Sequence, residues 1–485
     1  MVKRLKLPKT NWLSLAIISL LIFIPIYPKF PLFNVSETYV AIRFEDFLVG
    51  AIILLWLLLE IKHGFPTLRD RVSQLILLYL GIGGLSLLSA LLITKNVVPH
   101  IVLLHWLRRI EYMSLFFVAF ASVKELRNVK SYGLTIFIAT IGVIIYGLGQ
   151  KFFAWPVIST MNEEFSKGML LQLTEWARVS STFAGHYDLA AYLVMILALT
   201  LGFMVGLKNK AGRIAVGLFG FLSLYLLVLT ASRVSFVAYL VAVTLVLLGL
   251  KKYRWLGPIL VISFVLMFLS ADFAQRYAHT FNLDLSALSS RIKIFKKAEV
   301  EEIAQVPEVT PPAEEELVVK KPRLTPSPTP RKVATPAAEI WKPTTELAVE
   351  YSSAIRFKVE WPRAVRAFGK NPFLGTGYSS VSLATDNDYL RMLAETGLLG
   401  FISFWLIFLE IGRRVILFFS KEKPGFAKAM VIALSGAAIG LFVNAVFIDV
   451  FEASKVAFIF WMLMGILVGL MKLSPAKLKS FPARR

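Results

Sequence analysis

Four groups of polar side chains in this sequence combine residue types that could bind an anion and move a proton. The first is Arg178-Val-Ser-Ser-Thr-Phe-Ala-Gly-His186, and the second is Thr230-Ala-Ser-Arg233. The third is Arg356-x4-Trp361, and the fourth is the acidic stretch Asp386-Asn-Asp-Tyr389 with Glu395 after it. Guanidinium groups suit phosphate because their planar fork donates two parallel hydrogen bonds. A carboxylate beside them can accept a proton from a hydroxyl group.

Each group also has a purely structural interpretation. The segment 178–186 could be an interfacial anchor with a snorkelling arginine and capping hydroxyls. Arg233 stands between two apolar runs, where a buried charge is expensive without a partner, and Asp46 or Glu111 could supply that partner. The basic stretch that begins at Arg356 could be a solvated surface, and the acids of the fourth group could cap a helix. Single groups are weak indications, so their combined placement matters.

Apolar runs long enough to form membrane helices make up much of the chain. Of its 485 residues, 57% are hydrophobic and 17% are charged, whereas soluble domains have roughly 45–50% and about 25%. A helix of about 20 apolar residues spans the hydrocarbon core of a bilayer. The sequence therefore predicts an all-α polytopic membrane protein with about 12 transmembrane helices. The runs are 11–27, 39–61, 73–93, 101–122, 132–154, 183–206, 214–231, 234–250, 256–270, 396–412, 429–447 and 456–471.

Basic residues predict the orientation of these helices. Lys and Arg cluster in alternate loops, such as 62–71, 124–130 and 413–428, which the positive-inside rule assigns to the cytoplasm. We therefore expect a multi-pass protein of the plasma (inner) membrane with both termini cytoplasmic. All four polar groups then lie on the extracytoplasmic side, called the outer side below, and together they could form a cationic pocket for an amphiphilic anion.

The same composition excludes several classes of protein and of site. The net charge of +22 is distributed over the loops between apolar runs, so it indicates membrane orientation and not nucleic-acid binding. There is no cysteine, and the five histidines show no H-x-x-x-H spacing. We therefore predict no metal site and no cofactor.

One long segment interrupts the series of helices. Residues 1–270 hold nine predicted helices, 271–395 form an extracytoplasmic loop region, and 396–485 hold three helices and a basic cytoplasmic tail. The middle of the loop region, about 299–350, is rich in Pro, Glu and Lys and cannot bury enough apolar surface to offset its ordering entropy. We expect a disordered insertion there. Pro372-Phe-Leu-Gly-Thr-Gly377, by contrast, predicts a tight loop with permissive backbone.

These motifs, in this order, resemble the O-antigen ligase and O-antigen polymerase superfamily of bacterial envelope glycosyltransferases. The resemblance covers roughly 178–240 and 351–405 and implies a GT-C-like membrane fold. It also implies transfer of an oligosaccharide from a polyprenyl-pyrophosphate (undecaprenyl pyrophosphate) donor to a hydroxyl of a glycan, lipid or protein acceptor, without a metal ion. The resembling stretches are Arg178-Val-Ser-Ser-Thr-Phe, Thr230-Ala-Ser-Arg233, Arg356-x4-Trp361, Asn371-Pro-Phe-Leu-Gly-Thr-Gly377 and Asn387-x-Tyr-Leu-x4-Glu395-x-Gly-Leu-Leu-Gly400.

The resemblance also implies residue roles, in which arginines hold the pyrophosphate and Asp386 orients or deprotonates the acceptor. Ligases of the family carry a histidine at the position of Asp386, and a carboxylate with a pKa near 3.9 is a weak base unless burial raises that pKa. This departure favours a polymerase-like or divergent transferase, and His186 could act instead only if the fold brings it close. The expected catalytic residues are Arg233, Arg356, Asp386 and Asn387, and the expected substrate-binding residues are Arg178, His186, Trp361, Tyr389 and Glu395.

Two other functions are compatible with the sequence. A lipid-linked glycan flippase or transporter would also use a cationic cavity, and Arg108, Arg109 and Glu111 inside the fourth run would be its membrane-level charges. A non-catalytic envelope scaffold would use 299–350 as a docking tether. Reconstitution with a lipid-linked donor separates the three, because only a transferase lengthens the glycan and only a flippase moves it unchanged.

Overall fold

The apolar runs form helices in the computed structural model of the chain. The structure describes residues 11–34, 41–95, 97–158, 170–171, 177–269, 355–381, 385–421 and 425–473. These residues belong to one unit that comprises 1–274 and 353–485. The insertion predicted at about 299–350 lies outside the described residues.

Thirteen α-helices account for most of the described backbone. Short π-helical segments at Ala90–Thr94 and Arg356–Glu360 adjoin α3 and α10, and a 3-10 turn at Tyr253–Trp255 precedes α9. The helices are α1 Trp12–Ile26, α2 Phe44–His63, α3 Arg71–Ser89, α4 Pro99–Ser122, α5 Leu126–Phe152, α6 His186–Gly206, α7 Lys210–Leu229, α8 Arg233–Gly249, α9 Leu256–Leu269, α10 Trp361–Lys370, α11 Asp388–Lys421, α12 Phe426–Asn444 and α13 Ser454–Lys472.

Two short antiparallel strand pairs complete the described structure. Strand β1, Pro31–Asn34, pairs with β2, Ala41–Arg43, directly before α2. Strand β3, Val157–Ile158, pairs with β4, Leu170–Leu171, after α5. Both pairs lie in connections between helices, and the first positions Arg43 beside the start of α2.

The predicted all-α membrane class is confirmed. Each of the twelve apolar runs coincides with a helix, and seven described helices are long and apolar enough to cross a membrane, namely α3, α5, α6, α7, α11, α12 and α13. Helices α1, α8 and α9 are apolar but have 15, 17 and 14 residues. Helices α2 and α4 contain several charged residues. Twelve crossings and a GT-C-like fold stay predictions.

Short polar side chains begin several of these helices. Asp70 accepts a hydrogen bond from the Val72 N–H at the start of α3 (3.0 Å), and Asn209 does the same for α7 with Ala211 (3.1 Å). These contacts satisfy N–H groups that have no partner within the helix. Gly64 ends α2 with a left-handed φ of 74°, a conformation that glycine adopts without steric cost.

Helices α6, α12 and α13 form the centre of the bundle. In the apolar 18-residue stretch of α13, 94% of the residues are buried, and in that of α6 83% are buried. Helix α13 packs along α4, α12 packs between α6 and α8, and α11 packs beside α3. Peripheral helices expose large apolar residues, among them Leu58 of α2 and Ile138 of α5, as expected of surfaces that face lipid.

Contacts between helix ends form two groups that agree with the alternating topology. At one end of the bundle, Asp70 pairs with Arg414 of α11 (3.0 Å) and with Lys472 of α13 (3.8 Å). All three residues belong to predicted cytoplasmic ends. At the other end, Lys29 after α1 lies 4.0 Å from Asp188 at the start of α6. The predicted outer ends therefore meet one another, whereas the assignment of that end to the extracytoplasmic side stays a prediction.

Helix α11 is broken at Gly397, where the tight loop after α10 inserts its backbone. Gly397 has φ 66° and ψ −169°. Thr376 of the loop donates its N–H to the Ala394 carbonyl (2.8 Å), and Leu398 donates to the Pro372 carbonyl (2.8 Å). The loop thus satisfies the backbone groups that the break releases, which is the condition for irregular backbone beside a membrane helix.

The absence of cysteine allows a direct test of sidedness. Arg366 on α10 and Lys251 between α8 and α9 are both exposed. We expect a membrane-impermeant maleimide to label Arg366→Cys in intact cells and Lys251→Cys only after permeabilisation. The readout is a gel shift of the purified protein. The opposite pattern would contradict the topology and place the polar groups in the cytoplasm.

Candidate functional site

Arg356 lies at the centre of a polar cluster between the starts of α6 and α11. It begins the π-helical segment before α10, and only 9% of its surface is exposed. Its Nε donates to Asp386 Oδ2 at 2.7 Å, and its guanidinium interacts electrostatically with Tyr187. The Asp386 side chain is 31% exposed. The ion pair is therefore buried on the arginine side and open to solvent on the carboxylate side.

Arg178 and His186 belong to the same cluster. The Arg178 Nη1 donates to His186 Nε2 (2.6 Å) and to the Tyr187 hydroxyl (3.5 Å). A guanidinium can only donate, so His186 accepts through Nε2 and its imidazole is the neutral tautomer with the proton on Nδ1. Tyr187 joins the two arginines. We call Arg178, His186, Tyr187, Arg356 and Asp386 the Arg356 cluster.

The start of α8, which carries Arg233, is joined to the same end of the protein. Ser232 caps this helix, and its hydroxyl donates to Ser235 Oγ (2.8 Å), which in turn donates to Asn444 Oδ1 (2.7 Å). The residue after Asn444 accepts the Asp388 N–H through its carbonyl (2.9 Å). This chain of hydrogen bonds connects α8 to the start of α11, where Asp386 lies two residues before Asp388.

A carboxylate between α12 and α13 fixes the turn that carries Asp386. Asp449 accepts hydrogen bonds from the backbone N–H groups of Thr385 (2.7 Å), Asp386 (3.1 Å) and Asn387 (3.1 Å). It also accepts from Arg391 Nη2 at 2.9 Å. Burial would raise the pKa of Asp449, but Arg391 and the backbone donors outweigh burial and hold that pKa below its usual range.

Sequence reasoning missed both members of this contact. Asp449 is an acidic residue between the last two apolar runs, and Arg391 is a variable position inside the fourth motif. The signal that could have found Asp449 is its position in an outer loop of an apolar chain. Its partners, however, lie 58 to 64 residues away in sequence, so no local pattern indicates them.

Asn387 and Tyr389 have defined structural contacts. The Asn387 side-chain oxygen accepts from the N–H groups of Tyr389 (3.0 Å) and Leu390 (2.9 Å), which makes Asn387 the cap of α11. The Tyr389 hydroxyl donates to the Phe442 carbonyl at 2.7 Å. The helix cap is therefore Asn387, whereas the structural interpretation of the sequence assigned it to the neighbouring acids. Direct contact of Asn387 or Tyr389 with substrate stays a prediction.

Glu395 lies inside the protein, with 3% of its surface exposed. Its carboxylate accepts the Ser379 N–H (3.1 Å) and pairs with Arg391 (3.4 Å). The backbone carbonyl of Glu395 accepts the Gly377 N–H at 2.9 Å. These contacts hold the loop after α10 against α11, so Glu395 shapes the site, and its binding of substrate stays a prediction.

Two residues at the junction of the π-helical segment and α10 carry buried polar atoms without a partner in the described part of the protein. They are Trp361 Nε1 and Glu360 Oε2. The Trp361 ring packs edge-on against Phe357, with 4.7 Å between ring centroids. Burial, and then the charges of Asp386 and Asp449, raise the pKa of Glu360 to about 7. Sequence reasoning missed Glu360 because a glutamate in a basic stretch is usually a solvated charge.

Asp386 is the second carboxyl group of the site with a raised pKa. Burial raises the pKa of Asp386 and the neighbouring Asp449 raises it further, while Arg356 opposes both, and the net direction is upward. Its backbone has a left-handed φ of 50°, which aspartate tolerates better than most residues. The site therefore combines fixed cations with two carboxyl groups whose pKa values are raised.

The charges inside α4 are paired with acids. Arg108 contacts Asp46 at 2.6 Å and Glu111 at 3.6 Å. Arg109 pairs with Glu452 after α12. Asp46 and Glu111, which could have partnered Arg233, thus pair with Arg108. Among the described residues no group of three or more His, Asp or Glu side chains is placed to hold a metal ion, and metal independence stays a prediction.

Part of this chain matches a known protein family. The family described as O-antigen ligase matches residues 218–405, a range that contains Arg233, Arg356 and Asp386. Arg178 and His186 lie before it. No curated protein matches the chain. The family match confirms the resemblance that the sequence motifs indicate.

Asp449→Asn should destabilise the protein strongly, because it removes the closer of the two acidic partners of the buried Arg391 and turns an amide towards three N–H donors. Breaking a buried ion pair costs about 3–5 kcal/mol. The matched control is Arg413→Gln, which breaks a contact whose arginine is 61% exposed and should change the stability much less, because solvent screens an exposed ion pair. Thermal unfolding of both variants in detergent measures the difference. Equal melting temperatures would show that Asp449 does not anchor the turn.

Proposed function

We propose that this chain, whose residues 218–405 match the O-antigen ligase family, is a membrane glycosyltransferase of surface polysaccharide biosynthesis. It transfers an oligosaccharide from a polyprenyl-pyrophosphate carrier to an acceptor hydroxyl. The supporting observation is the Arg356 cluster, in which two guanidinium groups and a partly exposed carboxylate meet at one end of the helix bundle. That end is the outer side of the predicted topology.

The arginines stabilise the leaving group. When the acceptor oxygen attacks the anomeric carbon, the bond from that carbon to the pyrophosphate oxygen breaks and the pyrophosphate gains negative charge. Cations fixed in advance stabilise this charge more in the transition state than in the ground state. Arg356 and Arg178 are held by Tyr187, Asp386 and His186, so little reorganisation accompanies the reaction. Arg233, at the start of α8, is the third cation that we assign to the pyrophosphate.

The acceptor hydroxyl must lose its proton to a base, and the site offers two carboxyl groups. Asp386 accepts a hydrogen bond from Arg356 through Oδ2, an interaction that favours its charged form and weakens it as a base. Glu360 has the pKa of about 7 that suits general base catalysis at neutral pH. We propose that Asp386 orients the acceptor and that Glu360 receives the proton. His186 is a poorer base, because its acceptor nitrogen is engaged by Arg178.

The family match gives no support to a flippase. The charges of α4 that kept this alternative open are neutralised by acids, as Arg108 is by Asp46 and Arg109 by Glu452. A polymerase extends a glycan chain, whereas a ligase attaches it to another molecule. The presence of Asp386 at the position of the ligase histidine favours the polymerase-like reaction, and the identity of the acceptor distinguishes the two.

Arg356→Ala should reduce glycan transfer by about 10²–10³-fold, the usual cost of removing one group that stabilises developing charge. The assay uses the purified protein in liposomes with a synthetic polyprenyl-pyrophosphate oligosaccharide, and product length is read by mass spectrometry. Arg366→Ala is the matched control, because Arg366 lies on α10 and is exposed. The assignment of Arg356 would be refuted if the variant inserted normally into the membrane and transferred glycan at an unchanged rate. Movement of the glycan across the bilayer without extension would indicate a flippase.

The pH dependence of transfer should identify the base. A base acts in its deprotonated form, so the rate should fall as the pH decreases through the pKa of Glu360, about 7. Glu360→Gln should remove this limb and lower the rate by about 10²–10⁴-fold. Asp386→Asn should lower the rate and keep the limb but move it to lower pH, because the charge of Asp386 helps to raise the pKa of Glu360. If instead Asp386→Asn removes the limb and Glu360→Gln keeps it, Asp386 is the base.

A further inference from the structure

A second cationic cavity lies at the same end of the bundle as the Arg356 cluster and shares no residue with it. The cavity has a volume of about 150 Å³ and is lined by residues from the α1–β1 connection, β2, α4 and the start of α13. Three of the lining side chains are cations, Lys29, Arg43 and Arg108, and one is an acid, Glu452. Glu452 pairs with Arg109 and Arg108 pairs with Asp46, so Lys29 and Arg43 are the lining cations whose acidic neighbours lie beyond hydrogen-bond distance.

Two of these cations have only distant acidic neighbours. Lys29 Nζ lies 4.0 Å from Asp188 Oδ2, and Arg43 Nη1 lies 3.7 Å from Glu45 Oε1. Both distances exceed that of a hydrogen bond. The Arg43 side chain is 9% exposed, and its Nε has no acceptor among the described residues. A buried guanidinium N–H without an acceptor is costly, so an anion in the cavity would stabilise Arg43.

The end of a long helix adds to the positive potential. Ser454, the first residue of α13, lines the cavity, and this helix of 19 residues begins without a side-chain cap. Its first N–H groups and its dipole favour an anion. Burial, and then the charge of Arg43, lower the pKa of Lys29 to about 8, which shows that the cations of the cavity repel one another.

We propose that this cavity, called the Lys29 site, binds a phosphate-class oxyanion. Several cations converge on it from different segments, an arrangement that suits the charge and the several oxygen atoms of a phosphate or pyrophosphate better than a single carboxylate. The anion could belong to a lipid headgroup or be free in solution. The assignment rests on the cavity alone and does not depend on glycan transfer.

The test counts anions bound by the full-length protein in a neutral detergent at low ionic strength. Calorimetric titration with inorganic pyrophosphate should give two equivalents for the wild type, one in the Arg356 cluster and one in the Lys29 site. Lys29→Gln and Arg43→Gln should each lower the affinity of the Lys29 site for pyrophosphate at least tenfold and leave binding in the Arg356 cluster intact. Arg356→Ala should lower the affinity of the Arg356 cluster and leave the Lys29 site intact. The matched control, Arg363→Gln, should bind as the wild type does.

A parallel experiment distinguishes the two sources of the anion. Native mass spectrometry of protein from vesicles that contain phosphatidylglycerol should show a retained lipid that Lys29→Gln releases, if the anion is a headgroup. Pyrophosphate binding without lipid retention indicates a free anion. If neither ligand binds at the Lys29 site, and the variants melt at the wild-type temperature, the proposal is overturned. Two equivalents lost in Arg356→Ala would also overturn it, whereas loss of transfer alone would not bear on it.

Discussion

Three consecutive backbone N–H groups and one guanidinium converge on the carboxylate of Asp449. Buried N–H groups without acceptors cost free energy, so the turn 385–387 keeps its shape only while this carboxylate stays in place. The turn includes the left-handed backbone of Asp386, and this conformation directs the Asp386 side chain to Arg356. The geometry of the site thus depends on a residue that does not belong to the Arg356 cluster.

Charge pairing explains how so many ionic side chains are accommodated at the predicted outer end of an apolar bundle. Charges near the membrane are tolerated when partners neutralise them, and Arg108 with Asp46 and Arg391 with Asp449 follow this rule at 2.6 and 2.9 Å. Removing one member of such a pair takes compensating charge away from the other. Pairs of this kind restrict the bundle to one arrangement of helix ends. The long contacts of Arg43 depart from the rule, and for that reason they indicate a ligand.

Hydrophobic runs predicted the helices well, since each of the twelve runs coincides with one. The motifs also named Arg178, Arg356 and Asp386, which the structure brings into one cluster. The sequence could not show that Tyr187 joins the arginines or that Asp449 fixes the turn, because these contacts connect segments far apart in the chain. Local patterns report which face of a helix is apolar, but they do not report which loop approaches it. The same limit concealed Glu360, whose pKa is raised by burial and then by the charges of Asp386 and Asp449 on other segments.

The motif residues divide into two kinds once their contacts are known. Asn387 caps α11 and Glu395 holds the loop after α10, so both stabilise the backbone that carries the site. Asp386 faces its open side and pairs there with the buried Arg356. This division bears on the aspartate that replaces the ligase histidine. A carboxylate paired with an arginine is a weaker base than an imidazole. Burial, and then the charges of Asp386 and Asp449, raise the pKa of Glu360 to about 7, so the two carboxyl groups lie in different environments. For that reason we propose that Asp386 orients the acceptor and that Glu360 receives its proton.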